Sequence, residues 1–165
     1  MLIRREHAAD VEAITKVHRA AFPTEMEATL VTALRASTAW LPPLSLVTEK
    51  DGEVVGHVVC TRAHIANKPT LGLGPLGVQP GNQNQGVGTA LMHAVLAAAD
   101  ALNEPVVVLL GHTDYYPRFG FRPASTYDIT PPDPSWAAHF QARPLSTYDT
   151  SIKGAFAYAP PFNDL

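Results

Sequence analysis

A strand-like run that passes through a polar, glycine-containing loop directly into an apolar helix is the feature that most limits how this chain can fold. The run 71–78 ends at a proline turn, and residues 86–102 carry one apolar stripe at helical spacing. The run 106–110 is apolar throughout, which is typical of a strand buried on both of its faces. The pattern predicts a helix packed against a sheet.

The remaining sequence predicts shorter elements. Asp10 is expected to cap a helix that ends at Phe22-Pro23. Strands are expected at residues 2–4, 45–49, 54–61, near 121 and 154–158, a second helix at 25–35, a short turn at 114–119 and an extended segment at 136–143. The order of these elements predicts a mixed α/β sheet with helices on its faces.

Composition indicates one globular domain over residues 1–165. Hydrophobic residues make up 46% of the 165 residues and charged residues 16%, so the chain can bury a core. Cys60 is the only cysteine, which excludes an internal disulfide and favours a reducing, cytoplasmic location. The formal charge is −3 with no basic stripe, and no apolar run approaches the roughly 20 residues that span a bilayer. Neither nucleic acid nor a membrane is therefore an expected partner.

The loop before the long helix has the chemistry of an anion site. The first backbone N–H groups of a helix have no intrahelical acceptor and lie at the positive end of its dipole. Gly86 and Gly88 lack a Cβ, so an anion can approach this backbone closely. These properties favour a phosphate or pyrophosphate ligand, although the same glycines are also tolerated at an ordinary helix start.

Two common nucleotide motifs do not fit. A P-loop needs Gly-Lys-Ser/Thr at the helix start, whereas Gly88 is followed by Thr89 without a lysine. The pattern Gly-x-Gly-x-x-Gly occurs at residues 72–77, but it lies inside a strand-like run. Pro75 also removes an N–H donor from it, and no helix follows at once.

The spacing Gln83-x-x-Gly86-x-Gly88 at a helix start resembles the acyl-CoA pyrophosphate loop of the GNAT superfamily of N-acetyltransferases. The strand end 76–80 is similar to that family's strand before a proline turn. The segment 115–121, Tyr-Tyr-Pro-Arg-Phe-Gly-Phe, resembles the family's aromatic-Tyr-x-x-x-Gly-Phe signature, in the form typical of one bacterial subgroup of acetyltransferases. The resemblance covers a core of about residues 2–122 and is thinner over the C-terminal strands and loops, 123–165.

The resemblance implies a fold, a co-substrate and a set of residues. The fold is a mostly antiparallel sheet in which two parallel strands splay apart, with helices on both faces. Acetyl-CoA is the implied co-substrate, and no metal is implied. The implied cofactor-binding residues are the pantetheine strand and the pyrophosphate loop: Leu76, Gly77, Val78, Gln83, Asn84, Gln85, Gly86, Val87, Gly88 and Thr89.

The implied reaction is direct attack of an amine on a thioester, which needs no enzyme nucleophile. A backbone N–H near Val78 would polarise the carbonyl, and Tyr116 holds the family's general-acid position. A phenol titrates near 10 and a thiol near 8.5, so a hydrogen bond to the departing thiolate is favoured over full proton transfer. A cationic Arg118 or Arg122 beside the tyrosine would change this by lowering its pKa.

A general base is harder to assign. Many family members place a glutamate on the strand before the loop, but residues 71–78 contain no acidic residue. Glu25, Glu27 and His57 are alternatives, and each also fits a solvated or structural role. His57 and Cys60 stand three apart on a strand, so they point to opposite faces and do not form a pair.

Three functions stay open at this point. The first is an N-acetyltransferase acting on an amine of a small molecule or a protein. The second is a non-catalytic acyl-CoA sensor, which the missing strand glutamate keeps open. The third, a toxin-type acetyltransferase acting on charged transfer RNA, is disfavoured by the net charge of −3. A homodimer through the C-terminal strands is an expectation by analogy alone.

Overall fold

Nine strands and three α-helices follow the predicted order over most of the chain. The computed structural model describes all 165 residues. The helices are α1 (Val11–Ala21), α2 (Met26–Arg35) and α3 (Val87–Ala101). The strands are β1 (Leu2–Arg5), β2 (Ser45–Lys50), β3 (Glu53–Ile65), β4 (Lys68–Val78), β5 (Val106–Leu110), β6 (Arg122–Pro123), β7 (Ile129–Thr130), β8 (Phe140–Pro144) and β9 (Gly154–Ala157).

The sheet is mostly antiparallel, with a parallel pair, β4 and β5, at its centre and a second, short parallel pair between β7 and β9. Its strands lie in the order β1-β2-β3-β4-β5-β8-β6, and β9 pairs with both β3 and β7. Strands β4 and β5 are parallel, but their pairing is limited to Leu71 with Val107 and Gly72 with Val108. Beyond Gly72 the two strands part, which confirms the splayed pair that the resemblance implied.

Helices cover both faces of the sheet. Adjacent residues of a strand point to opposite faces, and β2 illustrates this. Leu46 packs in a core cluster with Leu91 of α3, whereas Val47 packs with Ile14 and Val17 of α1. The long helix α3 therefore lies on one face, and α1 with α2 lies on the other. None of the three helices is long and apolar enough to cross a membrane.

The prediction that Asp10 caps α1 is wrong. Asp10 stands at the N-cap position, but its carboxylate makes no cap bond to the helix. It accepts hydrogen bonds from the Arg4 guanidinium at 2.7 and 3.0 Å and from the backbone N–H of His7 at 2.6 Å. Charge-assisted bonds between two ionised groups are stronger than a bond to a neutral backbone N–H. The Asp10 carboxylate therefore binds Arg4 instead of capping α1.

The extended segment expected at 136–143 is only half correct. Residues Pro134–His139 form a 3₁₀ turn, and the strand begins at Phe140. Asp133 caps the turn by accepting a hydrogen bond from the backbone N–H of Ser135 at 2.9 Å, and the fixed φ of Pro134 suits a helical start. The two-residue strand β7 was not predicted.

Candidate active site

A cleft of about 570 Å³ opens where β4 parts from β5 and the following loop enters α3. Nine of the ten residues predicted to hold acyl-CoA line it. Gln85 is the exception, because its side chain donates to the carbonyl of Gly81 at 3.1 Å. The lining residues are Ala21, Phe22, Leu76, Gly77, Val78, Gln83, Asn84, Gly86, Val87, Gly88, Thr89, His112, Tyr115 and Arg118.

The loop presents a run of free backbone donors to this cleft. The N–H of Asn82 donates to Gln79 and that of Ala90 donates to Gly86, but the amides of residues 84–89 between them have no acceptor within the protein. Asn84 has φ +61° and Gly86 has φ +83°, the left-handed conformation that a glycine adopts without strain. These turns and the positive end of the α3 dipole form a concave site suited to an anion.

Gln83 fixes the start of this loop. Its side-chain amide donates to the carbonyl of Val78 at 3.0 Å, which ties the loop back to the end of β4. The residue therefore also has a structural role, although it lines the cleft.

Tyr115 and Arg118 enter the cleft from the 3₁₀ segment after β5. The Arg118 guanidinium lies over the Tyr115 ring, 4.6 Å from its centroid, and its Nε donates to the carbonyl of Tyr115 at 2.9 Å. Arg118 is the only lysine or arginine that lines the cleft. The sequence resemblance pointed to the neighbouring Tyr116, and it placed neither Tyr115 nor Arg118 among the cofactor-binding residues. Their place within the same aromatic signature was the available signal.

A C-terminal aromatic residue packs over the point where the two parallel strands part. The Tyr158 ring packs so closely over Gly72, the last paired residue of β4, that a β-carbon there would lie 2.9 Å from it. The ring therefore covers the last position at which β4 pairs with β5.

Tyr116 does not line the cleft. It begins the 3₁₀ turn Tyr116–Phe119, is half-buried, and packs against Gly111 and Phe121. Burial, followed by the neighbouring Tyr115, raises the pKa of Tyr116 to about 12. The phenol is therefore protonated at neutral pH and can donate a hydrogen bond. The alternative expectation from the sequence, that Arg118 or Arg122 lowers the pKa of Tyr116, is wrong.

None of the three candidate bases lines the cleft. Glu25 is exposed and pairs with Arg19 at 2.7 Å. Glu27 is also exposed and contacts the Thr24 hydroxyl only at 3.5 Å. His57 is completely buried in contact with His18, behind the cleft wall. Cys60 is buried in the apolar core, as its strand position predicts.

Comparison with known proteins agrees with this geometry. A family model described as an acetyltransferase (GNAT) domain matches residues 2–124. Two uncharacterized N-acetyltransferases of Escherichia coli K12 are similar. YjhQ is 36% identical over 121 residues, which make up 71% of this chain and 67% of YjhQ. YhbS is 30% identical over 156 residues, which make up 93% of this chain and 92% of YhbS.

Two solved structures resemble the chain over nearly its whole length. The crystal structure of Escherichia coli YhbS in complex with CoA superposes with a TM-score of 0.91 at 30% identity, covering 98% of this chain and 91% of that one. A GNAT family acetyltransferase from Brucella melitensis in complex with acetyl-CoA gives 0.81 at 33% identity, covering 98% and 97%. The family model spans well over half of the sequence, and YhbS is matched almost end to end, so this chain belongs to the GNAT family of acetyltransferases.

Proposed function

We propose that the protein transfers the acetyl group of acetyl-CoA to a primary amine of a small molecule or a protein. The observation that carries the proposal is the run of free amides at residues 84–89 beside the parted strands. A diphosphate at those amides would direct its pantetheine arm along β4. Arg118, at the same cleft, supplies a positive charge for a phosphate group.

The edge of β4 suits an extended ligand. Beyond Gly72 this edge has no pairing with β5, which leaves backbone groups free for an amide-containing arm. Leu76, Gly77 and Val78 lie on this stretch and line the cleft. A backbone N–H here would polarise the thioester carbonyl at the moment when negative charge develops on its oxygen.

Tyr116 is the group proposed to assist departure of the thiolate. A pKa of about 12 lies roughly 3.5 pKa units above that of a thiol, so full proton transfer would cost about 5 kcal/mol. A hydrogen bond from the neutral phenol carries no such cost. Tyr116 is therefore expected to stabilise the developing thiolate while keeping its own proton until the product separates.

A thiol-release assay against a panel of amines, peptides and aminoglycosides tests the function. Release of CoA that depends on an added amine, with the acetylated amine identified by mass spectrometry, is the expected result. Binding of acetyl-CoA without transfer to any amine would instead favour the acyl-CoA sensor, which the absence of an acidic residue from residues 71–78 leaves open.

A further inference from the structure

A chain of buried polar side chains lies directly behind the cleft. His18 Nε2 is 2.8 Å from His57 Nδ1, and His57 Nε2 is 2.8 Å from Ser45 Oγ. The Ser45 hydroxyl donates in turn to the Glu6 carboxylate. We call these four residues the histidine chain. Both imidazoles are completely buried, and no step of the reaction described above uses them.

The charged end of the histidine chain is Glu6. Burial opposes its ionisation, but the neighbouring His57 together with hydrogen bonds from Arg35 and Ser45 outweighs burial and lowers the pKa of Glu6 to about 2. The Arg35 guanidinium pairs with it at 2.8 Å. Glu6 is therefore a carboxylate that can only accept hydrogen bonds, and this fixes the direction of every bond behind it.

The tautomers follow from that direction. Ser45 gives its hydrogen to Glu6, so its oxygen accepts from His57 Nε2–H. Burial lowers the pKa of both histidines. The pKa of His18 falls to about 3, and the nearby His57 and Arg35 contribute to this decrease. At His57, Glu6 raises the pKa and Arg35 lowers it, but burial is the largest cause and the pKa is lowered. A neutral imidazole carries one N–H, so His57 Nδ1 is bare and accepts from His18 Nε2–H. His18 Nδ1 is consequently also bare.

That bare nitrogen faces the wall of the cleft. His18 Nδ1 is buried and has no hydrogen-bond partner. A β-carbon built on Gly77 would lie 2.7 Å from it, so only glycine at this position of β4 admits the ring. The imidazole also stacks on Phe22 at 6.0 Å. Gly77 and Phe22, the two residues against which the His18 ring packs, both line the cleft.

A bare acceptor beside the cleft wall is free to take a proton. Buried polar atoms are nearly always hydrogen-bonded, because an unpaired one carries its full desolvation penalty. An apolar side chain on the inner face of α1 would avoid that penalty. The reaction, meanwhile, must remove one proton from an acceptor that is an ammonium ion at neutral pH, and no carboxylate lines the cleft.

We propose that Nδ1 of His18 accepts the proton that the acceptor amine must lose, an inference that rests on the proposed function. The other members of the histidine chain are positioning residues, which hold His18 in the tautomer that exposes its lone pair. Phe22, half-buried in the cleft wall, is the side chain that must turn for the amine or a water to reach Nδ1.

The step is balanced in bonds and charge. An N–H bond of the ammonium breaks, an N–H bond forms at His18 Nδ1, and the electron pair stays on the amine nitrogen. That pair forms the new C–N bond, and the C–S bond breaks with its electrons on sulfur, beside Tyr116. The second proton of the nitrogen passes to this thiolate, which leaves the neutral amide and the CoA thiol. The proton then passes from His18 Nδ1 to water through the opening that Phe22 makes, which restores the starting tautomers of the histidine chain.

The pKa of about 3 belongs to an imidazole that is shut off from water, and burial is its largest cause. When Phe22 turns and water or the amine reaches Nδ1, part of that desolvation is relieved. The pKa of His18 then rises toward that of an ordinary imidazole, and proton transfer becomes less unfavourable.

The pH profile of His18→Gln separates proton transfer from packing. With benzylamine and the weaker base glycinamide as probes, we expect kcat/KM to fall at least tenfold at pH 7. The deficit in kcat/KM should disappear above the pKa of each amine, because the amine then arrives without its extra proton. For glycinamide, the weaker base, it should disappear at a lower pH than for benzylamine. Acetyl-CoA affinity should be unchanged. A deficit that is constant with pH, or no deficit in an active enzyme, overturns the inference. A wild type that acetylates no amine overturns the proposed function instead.

Ser45→Ala breaks the histidine chain without touching His18. It should reproduce the pH-dependent deficit at reduced size. Thr48→Val is the matched control, because Thr48 lies buried on the same strand with a hydroxyl that has no partner. Equal profiles for the two variants would contradict the positioning role.

Nitrogen NMR of ¹⁵N-histidine-labelled protein saturated with acetyl-CoA tests the tautomers without any acceptor amine. Assignment uses the His18→Gln spectrum. An unprotonated Nδ1 and a protonated Nε2 at His18 support the inference. A hydrogen on Nδ1 overturns it, whatever the kinetics of the variants.

Discussion

The Tyr115 hydroxyl lies against Gly88 in the first turn of α3, where a β-carbon would be only 3.1 Å from it. The same β-carbon would lie 3.7 Å from Val78 Cγ2, at the end of β4. Gly88 is thus the point at which the strand, the helix and the aromatic segment meet around the free amides. A side chain there would occupy the space between the amides and the cleft.

Gly88→Val should therefore weaken acetyl-CoA binding by tenfold or more while leaving the fold intact. Valine is tolerated in a helix, so the loss would come from crowding at Tyr115 and the amides. Gly81→Ala is the matched control, since no atom lies within 4 Å of its added methyl group. Isothermal titration calorimetry measures both variants, and equal affinities would exclude the loop as the phosphate site.

Tyr116→Phe and Tyr115→Phe should separate chemistry from binding. Tyr116 is expected to act on the thiolate, so its loss should lower kcat by about tenfold or more with little change in acetyl-CoA affinity. Tyr115 lines the cleft beside Gly88, so its loss should weaken cofactor binding more than turnover. Steady-state kinetics and calorimetry on both variants check this. Reversed effects would assign the thiolate role to Tyr115.

Glu6 should make stability fall in acid. Its pKa of about 2 lies below the ordinary 4.5, so it stabilises the folded state fully above pH 4.5, and this stabilisation is lost as pH falls toward about 2. The difference corresponds to about 3 kcal/mol. Urea unfolding should show Glu6→Gln less stable at pH 7, with the two proteins converging near pH 2. Glu12→Gln, at an exposed carboxylate paired with Lys16, is the control and should change little. A gap between wild type and Glu6→Gln that does not close in acid would contradict the assignment.

Cys60 should be inert in the native protein. It is completely buried, and burial raises the pKa of its thiol, so little thiolate is available to react. Ellman's reagent should detect no protein thiol in buffer and one equivalent in denaturing urea. Fast native labelling would show that β3 opens readily, and it would also add a background to thiol-release assays.

The central helix and strand were predictable because their signals are local. The apolar run 106–110 is β5 with no change of bounds, and the stripe at 86–102 is α3 to within one residue at each end. The glycine loop could be recognised as the start of α3 because helix-start chemistry depends on neighbours in sequence. The prediction that Asp10 caps α1 failed because Arg4, six residues away, binds its carboxylate.

The histidine chain could not be predicted, because its contacts join residues far apart in sequence. His18 and His57 are separated by 39 positions and meet only once α1 packs on β3. One local signal existed: His18 follows Ile14 by four residues, on the apolar face of α1, where a polar side chain needs a buried partner. The packing of Tyr158 on Gly72 could not be predicted either. Tyr158 directly follows β9, and the pairing of β9 with β3 is set by tertiary structure.

A crystal structure of the protein with acetyl-CoA tests the central claim most directly. It should place the diphosphate within hydrogen-bond distance of the amides of residues 84–89 and the thioester between β4 and β5, near Tyr116. Acetyl-CoA bound elsewhere, or no binding at saturating concentration, would contradict the claim.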